Sequence, residues 1–264
     1  MALVYSLCSS SKGNCTYVGS ERHGILIDAG IGIRTFAAAM TLGGIPQGAV
    51  QAIFVTHEHS DHIKGLYKLA ERLRVPVYAT RGTMEQLVQK GAVPSGADLR
   101  IAENAAVCAA DMEVRGFFTS HDSAQSAAYR IHTADGKAVC ICTDLGYVSQ
   151  EVEQNLSGSD FVMLESNYDE FMLQTGRYPY FLKKRIAGER GHLSNEACSE
   201  QISKLIAQGT TQFLLGHLSE ENNRPQVAMA HTVNRLHGEG ILLEKDYTLD
   251  VAPKSTIGKR ILVR

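Results

Sequence analysis

The sequence predicts an α/β fold, on three observations. Short apolar runs recur along the chain: Ile25-Leu26-Ile27, Ala52-Ile53-Phe54-Val55, Ala138-Val139-Cys140-Ile141-Cys142, Phe161-Val162-Met163-Leu164 and Gln212-Phe213-Leu214-Leu215. Helical patterns lie between several of them. Each run also leads into a metal-capable or acidic residue, respectively Asp28, His57, Asp144, Glu165 and His217. In open α/β sheets the active site gathers at the carboxyl ends of the strands, so this repetition points to one shared site.

The remaining elements follow in order. Leu3-Val4-Tyr5-Ser6-Leu7 and Cys15-Thr16-Tyr17-Val18 flank a small polar turn, Ser9 to Asn14, and predict a hairpin. Ile31 to Met40 predicts a short helix stopped at Gly43-Gly44, where glycine supplies a left-handed turn. A helix from Asp61 to Leu73 carries Ile63, Leu66, Leu69, Ala70 and Leu73 on one face and ends at Val75-Pro76. Thr80 caps a helix from Arg81 to Lys90 that Gly91 closes, and Gly91 to Asp98 is loop. Ile101 to Val107 leads into the strand Val114 to Thr119, which delivers His121. Asp135-Gly136, between Tyr129 to Thr133 and Lys137 to Val139, is the strongest hairpin signal and leaves His132 on the surface. Gln150 to Leu156 is helical, and Ser194 caps a helix carrying Ala197, Ile202, Leu205 and Ile206 to the stop at Gly209. Pro225 opens a helix through Leu236 with His231 and His237 on its exposed side; Ile241 to Val251 and Ile261-Leu262-Val263 supply closing strands.

Composition narrows the class. A net charge of -2 gives no bulk basic signal, so any nucleic-acid contact must use a local patch. The first residues carry no cationic segment or long apolar core, and no run approaches the roughly twenty apolar residues of a membrane helix. Six cysteines show no C-x-x-C pair; a cytoplasmic protein with reduced thiols is expected, with Cys140 and Cys142 packed as small hydrophobes. Candidate ligands spread from the first quarter of the chain to its last fifth, which argues for a single domain over 1–264.

Thr56-His57-Glu58-His59-Ser60-Asp61-His62 crowds four metal-capable side chains onto one strand-to-helix turn. His57 and His59 are two apart, so in extended backbone they project the same way. Asp61 and His62 lie where the helix begins and can swing toward the same point. Imidazole with carboxylate, and no cysteine, suits zinc, manganese or iron. The cluster reads as a two-metal site completed by ligands at other strand ends. Two divalent ions roughly 3.5–4 Å apart ionise a shared water near neutral pH and polarise the bond it attacks.

Two further stretches offer substrate contacts. Ser10, Ser11 and Asn14 provide hydroxyl, amide and backbone donors for an anion; a plain hairpin turn is the alternative. Arg177 to Asn195 is the chain's one concentrated basic and aromatic segment, including Lys184, Arg185 and Ser194. His192 sits just before a helix N-terminus, where it can donate to a phosphate oxygen or protonate a leaving oxygen. The alternative is a loop histidine with a structural hydrogen bond.

In the order Asp28, His57-x-His59-x-Asp61-His62, His121, Asp144 and His217, the chain resembles the metallo-β-lactamase fold of metal-dependent hydrolases. The resemblance implies a four-layer αβ/βα sandwich, one metal held by His57, His59 and His121, and a second held by Asp61, His62 and His217. Asp144 would bridge them, Asp28 would brace the histidine turn, and Asp61 would also orient the attacking hydroxide. The family's β-lactam hydrolases commonly carry cysteine where Asp144 stands, so the sequence looks like the phosphodiesterase, nuclease and thioesterase branches. Gly191-His192-Leu193-Ser194, Glu165-Ser166-Asn167-Tyr168-Asp169 and the N-terminal serine/asparagine loop together resemble the YycJ-like (WalJ) exonuclease family. In that loop Lys12 departs from the usual glycine-rich pattern. This second resemblance implies a cytosolic 5′-3′ DNA exonuclease with two divalent ions, zinc or manganese with iron as a third option, a metal-bridging hydroxide as nucleophile, and a link to mismatch repair. Other readings are a glyoxalase-like thioester hydrolase, a small-molecule or RNA phosphodiesterase, and a binding module that keeps metals for folding. Structural zinc favours cysteine and closed spheres, which disfavours the last.

Overall fold

The computed structural model describes residues 1–256 and 258–264. Its frame is two seven-stranded mixed sheets, face to face. The first runs from β14 (Ile261–Leu262) at one edge through β1 (Leu3–Ser10), β2 (Gly13–Gly19), β3 (Gly24–Ile27), β4 (Val50–Phe54) and β5 (Val77–Ala79) to β6 (Leu99–Ile101). The second runs from β7 (Val107–Ala109) through β8 (Met112–Phe118), β9 (Ala127–His132), β10 (Ala138–Cys142), β11 (Phe161–Glu165) and β12 (Gln212–Gly216) to β13 (Thr248–Val251). Both sheets open as antiparallel meanders and then turn parallel, from β3 to β6 and from β10 to β13. The parallel halves matter for function, because their carboxyl ends all emerge at one rim.

Side-chain alternation along each strand builds the layers. Val4 and Ile25 point between the sheets, while Leu3, Tyr5 and Leu26 point to the helices outside. Between the sheets Phe54 stacks on Tyr78 at 4.5 Å and meets the edge of Tyr129 at 5.3 Å. Outside the first sheet lie α1 (Ile33–Leu42), α3 (Leu66–Leu73) and α4 (Arg81–Gln89), which bury Phe36, Met40, Leu66, Leu69 and Leu87. Outside the second lie α5 (Gln150–Leu156), α8 (Asn195–Ala207) and α9 (Pro225–Gly238), which bury Val152, Ile202, Leu205 and Leu236. The expected four-layer sandwich is what the chain forms. No helix among the described residues is long and apolar enough to cross a membrane.

Several elements differ from the sequence expectation. The helix expected over Asp61 to Leu73 is two, α2 (Ser60–Ile63) and α3, broken at Gly65. The break is a packing requirement. The Gly65 amide donates to the Ala29 carbonyl oxygen, and a Cβ at Gly65 would lie 1.8 Å from the Ile31 carbonyl oxygen. The same contact region needs Gly30, where a Cβ would lie 1.6 Å from the Asp61 carbonyl oxygen. The N-terminal turn is tighter than Ser9 to Asn14, since the ladder continues to the Ser10–Gly13 pair. Of Ile241 to Val251 only β13 is strand. His231 is not simply solvated, because its Nε2 meets Glu196 on α8 at 3.1 Å. The segment Glu170–Ile186 holds two short helices, α6 (Glu170–Thr175) and α7 (Tyr180–Ile186), that no periodicity announces.

Candidate metal centre

Three site residues leave strand ends through strained backbone. Asp28, Asp144 and His217 have φ of 63°, 62° and 52°, the left-handed region that non-glycine residues rarely enter. Each sharp turn aims a side chain over the rim rather than along the strand. The turn after β4 adds His57, His59, Asp61 and His62, and the loop after β8 adds His121.

All seven expected metal ligands converge there. His59 Nδ1 and His121 Nε2 lie 3.3 Å apart, and His57 joins them in one compact cluster. Asp61 Oδ2 lies 3.3 Å from His62 Nε2 and 3.4 Å from His217 Nε2, forming a second. Asp144 stands between: Oδ1 is 3.7 Å from His121 Nε2, and Oδ2 is 3.4 Å from His62 Nε2. A tetrahedral ion with bonds of about 2.0–2.1 Å sets adjacent ligand atoms about 3.3–3.4 Å apart. Moreover His57 Nε2 and Asp144 Oδ2 are buried with no hydrogen-bond partner, a costly state that a cation would relieve. These clusters are suited to metal ions.

The electrostatics agree. Burial presses the His57 imidazole well below its ordinary value, and its histidine neighbours add to this, so it is held neutral with a lone pair to offer. Burial works against charge on Asp61 and Asp144, yet His217 and His62 outweigh it and keep both carboxylates ionised below their ordinary range. Burial also opposes a charged His217, but Asp144, Asp61 and Glu165 push it up to about 10. His62 is raised likewise, against burial, by Asp28 and Asp144. The pocket therefore draws positive charge to the atoms facing Asp144.

Around this set a bracing layer fixes the rings. Asp28 Oδ2 lies 2.7 Å from His62 Nδ1, and Asp28 Oδ1 accepts the Thr56 amide at 2.8 Å. Glu165 is fully buried, and its Oε1 lies 2.7 Å from His217 Nδ1 and 2.8 Å from His192 Nδ1. It also accepts the Leu145 and Leu193 amides. The sequence placed Glu165 at a strand end without giving it this role; the repeated strand-end pattern was its available signal. Two other residues were missed. Ser9 Oγ accepts the His217 amide at 2.8 Å, tying the N-terminal hairpin to the last ligand. Asp122, next to His121, lies 3.5 Å from His121 Nε2 and 3.9 Å from His59 Nε2.

The expected substrate contacts fall at different depths. Asn14 Nδ2 donates to Asp61 Oδ2 at 3.2 Å and to the Ser10 carbonyl oxygen at 3.0 Å, so it borders the ligands directly. Ser10 is buried and its Oγ accepts the Lys12 amide, while Ser11 is exposed at the turn. His192, 21% exposed, opens to the mouth beside Asp61, 20% exposed. Arg185 on α7 pairs with Asp122 at that mouth, and Lys184 beside it is solvated. Ser194 is buried, and its hydroxyl accepts the Ala197 amide as the cap of α8.

Comparison with known proteins follows the geometry. Residues 23–217 match the Beta-lactamase superfamily domain. The chain is 36% identical to an exodeoxyribonuclease YycJ of Bacillus anthracis over 96% of its own length and 97% of that protein. It is 33% identical to an exodeoxyribonuclease WalJ of Streptococcus pneumoniae, covering 87% of this chain and 86% of that one. Among solved structures, the metallo-beta-lactamase fold protein YhfI of Bacillus subtilis superposes with a TM-score of 0.70 at 14% identity, over 97% of this chain and 98% of that one.

Proposed function

The chain belongs to the beta-lactamase superfamily of metal-dependent hydrolases, within it to the YycJ/WalJ exodeoxyribonuclease family, and we propose that it removes nucleotides from the 5′ end of DNA with two bound divalent ions. The observation that carries the metal count is the pair of ligand clusters, with His59–His121, Asp61–His62 and Asp61–His217 contacts of 3.3, 3.3 and 3.4 Å, and Asp144 in reach of both. His57, His59 and His121 would hold one ion, and Asp61, His62 and His217 the other. Zinc or manganese suits this donor set. Bound there, the ions supply an ionised water near neutral pH and polarise the scissile phosphodiester.

The chain's own residues do the rest. Asp61, open to the mouth and fixed by Asn14, orients the attacking water in line with the phosphorus. Glu165 accepts from His192 Nδ1, which leaves Nε2 as the atom facing substrate. As an imidazolium, His192 donates its Nε2 proton to a phosphate oxygen as charge builds, or gives that proton to the leaving oxygen. Asn14 and the Ser10–Ser11 turn border the entering phosphate, and Arg185 and Lys184 attract the strand that carries it.

The test is nucleotide release from 5′-end-labelled DNA, with and without manganese, beside the His59→Ala protein. Metal-dependent release from the labelled end that the variant lacks is the expected result. No release by wild type holding two metals per chain would move the substrate to RNA or a small ester.

A further inference from the structure

Between Glu165 and His192 the chain projects the arm of α6 and α7. Tyr180, Phe181 and Phe171 are 81%, 74% and 73% exposed, more than any other large apolar side chain among the described residues except Met1. All three fall in one short stretch. The whole of α7 buries no residue, so packing gives no reason for its aromatic content. From Arg177 to Gly188 the chain carries Arg177, Lys183, Lys184 and Arg185 and no acid. Lys183 donates to the Gln174 carbonyl oxygen and Arg185 pairs with Asp122, whereas Arg177 and Lys184 have no side-chain partner among the described residues.

Helical spacing orders these groups. Phe181 precedes Arg185 by four residues and Tyr180 precedes Lys184 by the same interval, so each aromatic ring has a cation one turn further along the same face. Arg185 is the end of that stripe at the metal pocket, through Asp122. Beside the stripe a groove of about 430 Å³ is walled by Tyr168, Leu173, Gln174, Tyr180 and Lys183, with Glu170 as its one acid. Alternating rings and cations hold nucleic acid without regard to sequence, since every base has a face to stack and every phosphate a charge. In a duplex those faces are already occupied.

We propose that the α6–α7 arm is a stacking platform for a single strand, which delivers an unpaired DNA end to the metal pocket; this rests on the nuclease reading and narrows its substrate. The chain contains no tryptophan, so Phe181→Trp places one fluorophore on the platform. Its emission is expected to be quenched by a thymidine oligonucleotide and by a duplex with an unpaired 5′ end, and not by a blunt duplex. In kinetics, Tyr180→Ala with Phe181→Ala should raise KM for single-stranded DNA about tenfold or more, with most of the loss in KM rather than kcat, and Phe181→Trp should retain the wild-type KM. Equal quenching by blunt duplex, or a KM that does not move, overturns the proposal. So does a double variant that loses a wild-type dimer in light scattering while its DNA KM stays the same, which would make the patch an interface between copies. Quenching without any DNA hydrolysis by wild type would sink the nuclease reading alone; hydrolysis without quenching would sink the platform alone.

Discussion

The histidine turn from His57 to His62 and the arm from Glu170 to Ile186 reach the same mouth and are built on opposite terms. In the turn, His57 and His62 have no solvent exposure, and His62 is locked through Asp28. In the arm, α7 buries nothing and its cations Arg177 and Lys184 are unpaired among the described residues. The difference separates two tasks. Bond breaking needs groups held in place before substrate arrives, whereas gripping a polymer of any sequence needs faces and charges left open.

The sharpest way to break this contrast is to loosen the rigid half. Glu165→Gln keeps the shape but removes the charge shared by His192 and His217. Turnover at saturating metal should fall roughly 10²–10⁴-fold. A fall of only a few-fold would mean that fixed orientation does not set the rate. Asp28→Asn tests the bracing of the turn more gently. Metal affinity, measured by titration, should weaken about 10–100-fold, with activity recovered by excess metal. Failure to recover would show that Asp28 acts on the reaction itself. The smallest effect belongs to the open half. Lys184→Ala should weaken DNA binding a few-fold, and the slope of log affinity against log salt should shrink by about 1. A change in kcat at saturating DNA would show that the arm is not merely a grip.

Legibility in the sequence follows the same division. The histidine turn, Asp28, His121, Asp144 and His217 were readable because each closes an apolar strand, and parallel strands bring such ends together. The function of Glu165 was not, because its partners lie 27 and 52 residues away and meet it only once β11 and β12 pair. Nor was the break at Gly65, where the apolar face continues across a glycine demanded by the Ile31 carbonyl. The α6–α7 arm left no periodic trace for a physical reason: helices that bury little need no apolar stripe. Its aromatic and basic composition was visible; its helicity was not.

The bond from the His217 amide to Ser9 Oγ joins residues 208 positions apart. A chain emerging from the ribosome therefore carries the histidine turn long before its last ligand and the serine that seats it can meet. The Asp61, His62 and His217 cluster closes only when β12 has joined its sheet, so it assembles after the cluster of His57, His59 and His121. A chain ending before His217 would carry the trio of His57, His59 and His121 and lack the third member of the other.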